Sequence, residues 1–280
     1  MAIQEQILIY FESIRNDFLT MFFSTITIMA EHLFLVIFLA VLYWLFSKQK
    51  AKKLAWFVLF NGVANGVIKN IINMPRPFER GVVTPIRMET ATGSSFPSGH
   101  TQTATSFWSG GMLLLRTKES VFLGAIMIIL TALSRLYLGV HWPMDVLGGI
   151  GFGVVFTYFA AELIDEEGTF TRWHVIGSSI ICLGLFILDV SPDLYKTAAC
   201  LWGLCFGGYL EQQYIQFKVD GTKKAKLIRV VIGIVGVLII YLGMSKLLPA
   251  VKMISMTKYA LVILWIIAGS PYIFKKIRIG

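Results

Sequence analysis

Nine stretches of this chain, at roughly 22–46, 54–73, 99–115, 120–138, 145–163, 174–190, 196–210, 227–245 and 259–274, are apolar and almost free of charge. A helix of about 18 or more such residues, rising 1.5 Å per residue, reaches across a hydrocarbon layer of about 30 Å. No water satisfies the peptide groups in that layer, so a spanning segment of this composition has to be helical. The expectation is an all-α polytopic membrane protein of about nine transmembrane spans. Of its 280 residues 56% are hydrophobic and 15% charged, against about 25% charged in soluble domains.

The net charge of +9 does not point to nucleic acid, because the basic residues lie in short runs between apolar stretches rather than on a polar domain. With the run Lys48, Lys50, Lys52 and Lys53 placed in the cytoplasm, alternation assigns 15 of the 25 Lys and Arg to that side. The positive-inside rule then gives an external N-terminus and an internal C-terminus at the plasma membrane. Residues 1–21 lack a basic n-region and a cleavage site and are expected to form an interfacial amphipathic helix. Residues 22–165 form a five-span core, and residues 166–280 a C-terminal region of about four spans. Cys182, Cys200 and Cys205 lie in apolar stretches without metal or redox spacing and read as packing residues.

The chemistry concentrates in three clusters that alternation places on one membrane face. Lys69 lies seven positions before Arg76 of the Arg76-Pro77 pair; Pro97-Ser98-Gly99-His100 opens the third span; Ser134-Arg135 precedes His141 and Asp145 at the joint of the fourth and fifth. Lys69, Arg76 and Arg135 brought together would repel one another unless an anion with several oxygens sat among them, and phosphate fits. Ser98 and Gly99 stand at a helix start, where free N–H groups and the helix dipole favour an anion, and the Ser98 hydroxyl adds a donor. His141 and Asp145 are four apart, so one turn of helix sets the carboxylate on one ring nitrogen and leaves the other as a lone pair, a nucleophile or base. His100, from a different helix, is placed to protonate a leaving oxygen.

In order and spacing these clusters read KxxxxxxRP, PSGH and SRxxxxxHxxxD, and the chain resembles the type 2 phosphatidic acid phosphatase superfamily over about residues 54–165. The resemblance implies a phosphatase helical-bundle core. It implies that Lys69, Arg76, Ser98, Gly99 and Arg135 hold the phosphate, that His141 attacks phosphorus to form a phosphohistidine, and that Asp145 orients His141 while His100 protonates the leaving group. It also implies no metal and no other cofactor.

Further along the chain, Asn61, Asn65 and Lys69 make a polar stripe that leads to the phosphate site or glues helices together. Glu31 lies inside the first span, where an ionisable group is costly unless it faces protein or water; with Asn65 it is expected to line a substrate cavity. Arg80 and Arg87 in the long external loop are expected to contact a second phosphate or other lipids, or to be solvated. Asp189, Asp193 and Glu211 read as solvated span ends, and the C-terminal spans either shape a lipid entrance or make homodimer contacts. The expected activity is metal-independent hydrolysis of a membrane lipid phosphate or diphosphate at the outer face. Alternatives are phosphoryl transfer to a lipid or sugar acceptor, and, from another class, a lipid transporter or scramblase on the same scaffold. The motifs read the phosphate and not the lipid, so phosphatidate, lysophosphatidate, phosphatidylglycerol phosphate, polyprenyl diphosphate and sphingoid-base phosphate all stand open, with the polyprenyl carrier slightly favoured if the source is a bacterium.

Overall fold

The computed structural model describes residues 2–249 and 251–279, and all regular structure among them is helical. In chain order the α-helices are α1 (Ala2–Ser13), α2 (Asp17–Ile28), α3 (His32–Leu45), α4 (Lys48–Ile72), α5 (Gly99–Leu115), α6 (Lys118–Tyr137), α7 (Pro143–Glu162), α8 (Arg172–Ile187), α9 (Pro192–Leu210), α10 (Lys223–Leu247), α11 (Lys252–Leu264) and α12 (Ser270–Lys276). Side chains set several starts: Asn16 accepts from Leu19 N at 3.0 Å at the head of α2, and Thr117 and Ser120 form a capping box on α6.

By length and composition five helices can cross a membrane: α4, α6, α7, α10 and the continuous Lys252–Lys276. A sixth is added if α2 and α3 count as one span, although they meet at a 53° bend. The expected nine are therefore not all long and apolar enough. The run at 99–115 became a 17-residue helix whose buried residues include Thr101, Gln102, Thr105 and Ser106, and the run at 174–190 a 16-residue helix. The first expected span, 22–46, breaks around Glu31, which removes the need to hold a carboxylate inside an unbroken apolar helix.

The chain packs as two compact units, one of Met1–Leu35 and Phe60–Ala160, the other of Val36–Leu59 and Ala161–Gly280. Residues 36–59, grouped by sequence with the core before residue 165, thus pack with the C-terminal helices. The reason lies in a π turn, Trp265–Gly269, whose register shift frees main-chain oxygens. Tyr43 Oη donates to Ile267 O at 3.0 Å and Trp44 Nε1 to Ile266 O at 2.9 Å. A second π turn, Glu211–Ile215, buries Glu211 rather than leaving it solvated, and Lys48 Nζ neutralises it at 2.6 Å.

In the first unit α5 packs on α6, and α7 approaches α5 through glycines. A Cβ on Gly149 would stand 2.9 Å from Ser98 O, and one on Gly153 2.6 Å from Thr105 Cβ. Gly149→Ala therefore has to push the backbone at the head of α5, an overpacking effect of about 1–3 kcal/mol. We expect a lower melting temperature in detergent together with slower turnover; a variant as stable as the parent would show that α5 can shift freely. Beneath the same end, Asn65 Nδ2 donates to Gln102 Oε1 at 2.8 Å, Gln102 Nε2 to Asn61 Oδ1 at 3.2 Å, and Asn61 Nδ2 to Thr157 Oγ1 at 3.1 Å. These bonds join α4, α5 and α7 where apolar contact alone gives helices in lipid little reason to associate.

Candidate active site

The last turn of α4 and the loop after it supply the first cations. Lys69 Nζ donates to Ser94 O. Arg76 is 2% exposed and spread over loop carbonyls: Nε to Gly93 O at 3.1 Å, Nη2 to Thr92 O at 2.7 Å and Nη1 to Val140 O at 2.8 Å. Its Nη1 also stands 3.3 Å from His141 Nε2. The loop is folded round this guanidinium, which is why a long polar connection holds a fixed shape.

His141 lies in the corner between α6 and α7, with Nδ1 3.2 Å from Asp145 Oδ2. A carboxylate only accepts, so Nδ1 carries the proton and Nε2 presents its lone pair toward Arg76. Asp145 Oδ2 also accepts from Trp142 N at 2.7 Å and from Ser95 Oγ. Gly139 makes the corner possible with φ +71°, where a Cβ would meet Thr84 O at 3.1 Å. Burial first, then the positive charges of Arg76, Lys69 and Arg135, push the His141 imidazole well below its usual 6.5. The nucleophilic, neutral form thus persists as pH falls through 6.5 and is lost only at lower pH. Carbethoxylation of His141, read by peptide mass, should show a midpoint below 6.5 that rises in Arg76→Gln; a midpoint at or above 6.5 would contradict this electrostatic picture.

Pro97, Ser98, Gly99 and His100 form the head of α5. Ser98 N donates to Asp145 O at 2.9 Å, so the N–H expected to be free for an anion instead ties α5 to α7. Ser98 Oγ accepts from Thr101 Oγ1 at 2.9 Å and from Thr101 N, and is the N-cap. Gly99 is the first helical residue, and a Cβ there would stand 3.9 Å from Lys69 Cε, so the lysine lies across the helix start. Arg135, fully buried, donates from Nη1 to Thr27 Oγ1 at 2.7 Å. Its Nε and Nη2, like His100 Nε2, are buried without a hydrogen-bond partner. Buried donors seldom stay unsatisfied, and several oxygens of one anion would satisfy this set.

Two expected cavity residues are placed differently. Asn65 is spent on Gln102 and, at 3.4 Å, on Pro97 O, so it holds the floor of the head of α5 and joins helices. Glu31 stands at the α2–α3 break and pairs with Arg87 Nη2 at 2.8 Å. Arg80 lies over the Trp142 ring at 5.8 Å. Sequence reasoning missed Thr27, Ser94 and Ser95, which carry no motif spacing. It also missed the role of the N-terminal segment: Leu8 packs in a cluster with Val83 and Trp142, Arg15 donates to Tyr137 O at 2.9 Å and Thr84 O at 2.7 Å, and Glu12 Oε1 accepts from Thr84 N at 2.8 Å. The expected interfacial helix is thus packed against the loops that carry the site.

The buried Arg76 beside a carboxylate-held imidazole, on a helical membrane scaffold, offers charge-assisted donors of the kind that suit a phosphate. Residues 50–168 match the PAP2 superfamily and residues 195–280 the PAP2 superfamily phosphatase, transmembrane extension, so the chain carries a PAP2 superfamily domain followed by that extension. It is similar to Undecaprenyl-diphosphatase BcrC of Bacillus subtilis (strain 168), 30% identical over 44% of this chain and 64% of that one. It is also similar to Lipid phosphate phosphatase delta of Arabidopsis thaliana, 23% identical over 81% and 62%. The crystal structure of a transmembrane PAP2 type phosphatidylglycerolphosphate phosphatase from Bacillus subtilis aligns over 58% of this chain and 84% of that one, with a TM-score of 0.48 and 24% identity. The chain spans about half to two thirds of the length of curated relatives it matches.

Proposed function

We propose that this protein hydrolyses the terminal phosphate of a membrane lipid phosphate or diphosphate at the outer membrane face. One observation carries the reading: His141 has Nδ1 on Asp145 and Nε2 at 3.3 Å from Arg76, so its lone pair points to where a cation would hold phosphorus. The phosphoryl oxygens lie among Arg76, Arg135, Lys69 and the Gly99 N–H. His141 Nε2 attacks phosphorus in line, the bond from phosphorus to the lipid oxygen breaks, and His100 gives that oxygen a proton. Water then attacks the phosphohistidine, His100 takes a proton from it, and inorganic phosphate leaves with His141 restored. As negative charge shifts onto the leaving oxygen, fixed buried donors stabilise it without reorganising. The external N-terminus and internal C-terminus are part of the proposal and rest on the Lys and Arg distribution.

The test is phosphate release by the detergent-purified protein, with EDTA present, from phosphatidate, lysophosphatidate, phosphatidylglycerol phosphate, polyprenyl diphosphate and sphingosine phosphate. Rapid quenching should trap an acid-labile, base-stable phosphoryl label on His141. Absence of phosphate release from every lipid would overturn the hydrolase reading, and label appearing in a second lipid would make the protein a transferase.

A further inference from the structure

Glu31 and Arg87 form an ion pair that the hydrolytic steps do not use, and its surroundings tie it to the site. Thr27, near the end of α2 and four residues before Glu31, accepts from Arg135. The segment holding Arg87 is pinned to the His141 corner by Ile86 N donating to Leu138 O at 2.8 Å. Glu31 and Arg87 both act electrostatically on Arg135. Arg87 is incompletely bonded: Nη2 meets Glu31 Oε1 at 2.8 Å, whereas the buried Nε finds only Glu89 Oε1 at 3.7 Å, beyond hydrogen-bond reach. Its side chain is 23% exposed, so it can be reached from outside.

A guanidinium has five N–H donors in a fork that fits a phosphate edge, and one carboxylate oxygen leaves most of that fork unfilled. An ion pair kept only for stability at a partly exposed position contributes little. A second phosphate beside the scissile one would meet this fork while the terminal phosphate lies among Arg76, Arg135 and Lys69. Resting on the hydrolase reading above, we propose that Arg87 receives the inner phosphate of a lipid diphosphate and that Glu31, by competing for the same guanidinium, sets the preference for diphosphate over monophosphate. In the reaction His141 Nε2 bonds to the terminal phosphorus as the bond from that phosphorus to the bridging oxygen breaks, His100 protonates the bridging oxygen, and the lipid monophosphate departs from beside Arg87. Inorganic phosphate follows from the phosphohistidine.

The experiment compares farnesyl diphosphate with farnesyl phosphate on the purified full chain, reading kcat/KM for each. Arg87→Gln should lower the diphosphate-to-monophosphate ratio by about tenfold or more, the scale of a lost charge-assisted hydrogen bond. Glu31→Gln should raise the ratio about threefold, and the double variant should follow Arg87→Gln. Opposite shifts are not what a purely structural pair produces. Parallel loss on both substrates, or an unchanged ratio, overturns the proposal. Calorimetric binding of an alkyl methylenediphosphonate against an alkyl phosphonate of equal chain length reads the same preference without turnover. No release of phosphate from either farnesyl substrate by the parent protein would instead sink the hydrolase reading, and the calorimetry would still decide the role of Arg87.

Discussion

His141→Ala is expected to abolish phosphate release, at least about 10⁵-fold, while leaving lipid binding and the detergent melting temperature close to the parent. The magnitude follows from losing the covalent route altogether: water would have to attack the lipid phosphate directly, in a site shaped to present an imidazole nitrogen. Stability should change little because alanine removes an imidazole whose bonds serve orientation, while Asp145 keeps Trp142 N and Ser95 Oγ. Residual hydrolysis within about a hundredfold of the parent would mean that another group carries the phosphoryl transfer. A protein that moves lipid across the membrane equally well with and without this histidine, and never releases phosphate, would be a conduit.

The second large effect belongs to Asp145→Asn, expected to lower turnover by about 10³–10⁴-fold, the scale seen when a carboxylate that fixes a catalytic imidazole is replaced by an amide. All three bonds, from His141 Nδ1, Trp142 N and Ser95 Oγ, end on Oδ2, so an amide either keeps its oxygen there without the negative charge that holds the imidazole, or turns its nitrogen there and loses them. If its nitrogen faces Nδ1, the proton moves to Nε2 and the lone pair needed for attack is lost. Substrate KM should change far less than kcat, because the cations proposed to hold the phosphate remain. A proportional rise in KM with kcat preserved would assign Asp145 to phosphate binding. Nitrogen-15 shifts of His141 would report the tautomer directly.

The pairing of His141 with Asp145 was legible in the sequence because its spacing is local: four positions is one helical turn, whatever else the chain does. What surrounds them was not. Thr27, Ser94 and Ser95 reach the site through backbone segments far from the motifs, and a serine or threonine in a loop carries no periodic signal. The Ser98 N–H was misread for the same reason, since its acceptor, Asp145 O, lies 47 residues away in sequence. Glu31 was noticed as out of place in an apolar run, yet hydropathy could not reveal that the helix breaks there. Asn65 kept two readings open, and packing against Gln102 chose the helix-joining one. The span count suffered because hydropathy averages along a segment: the buried hydroxyls and amide of α5 lower its apolarity without stopping the helix.

The bracing of the His141 corner by the N-terminal segment bears on how the molecule assembles. Arg15 and Tyr137, joined through the tyrosine carbonyl, are 122 positions apart, so this contact closes late and at a large loop entropy. Arg15 therefore has to wait until α6 is made before this partner exists. Until then the His141 corner lacks this brace, and Arg15→Ala should delay the gain of activity during refolding more than the gain of helix content.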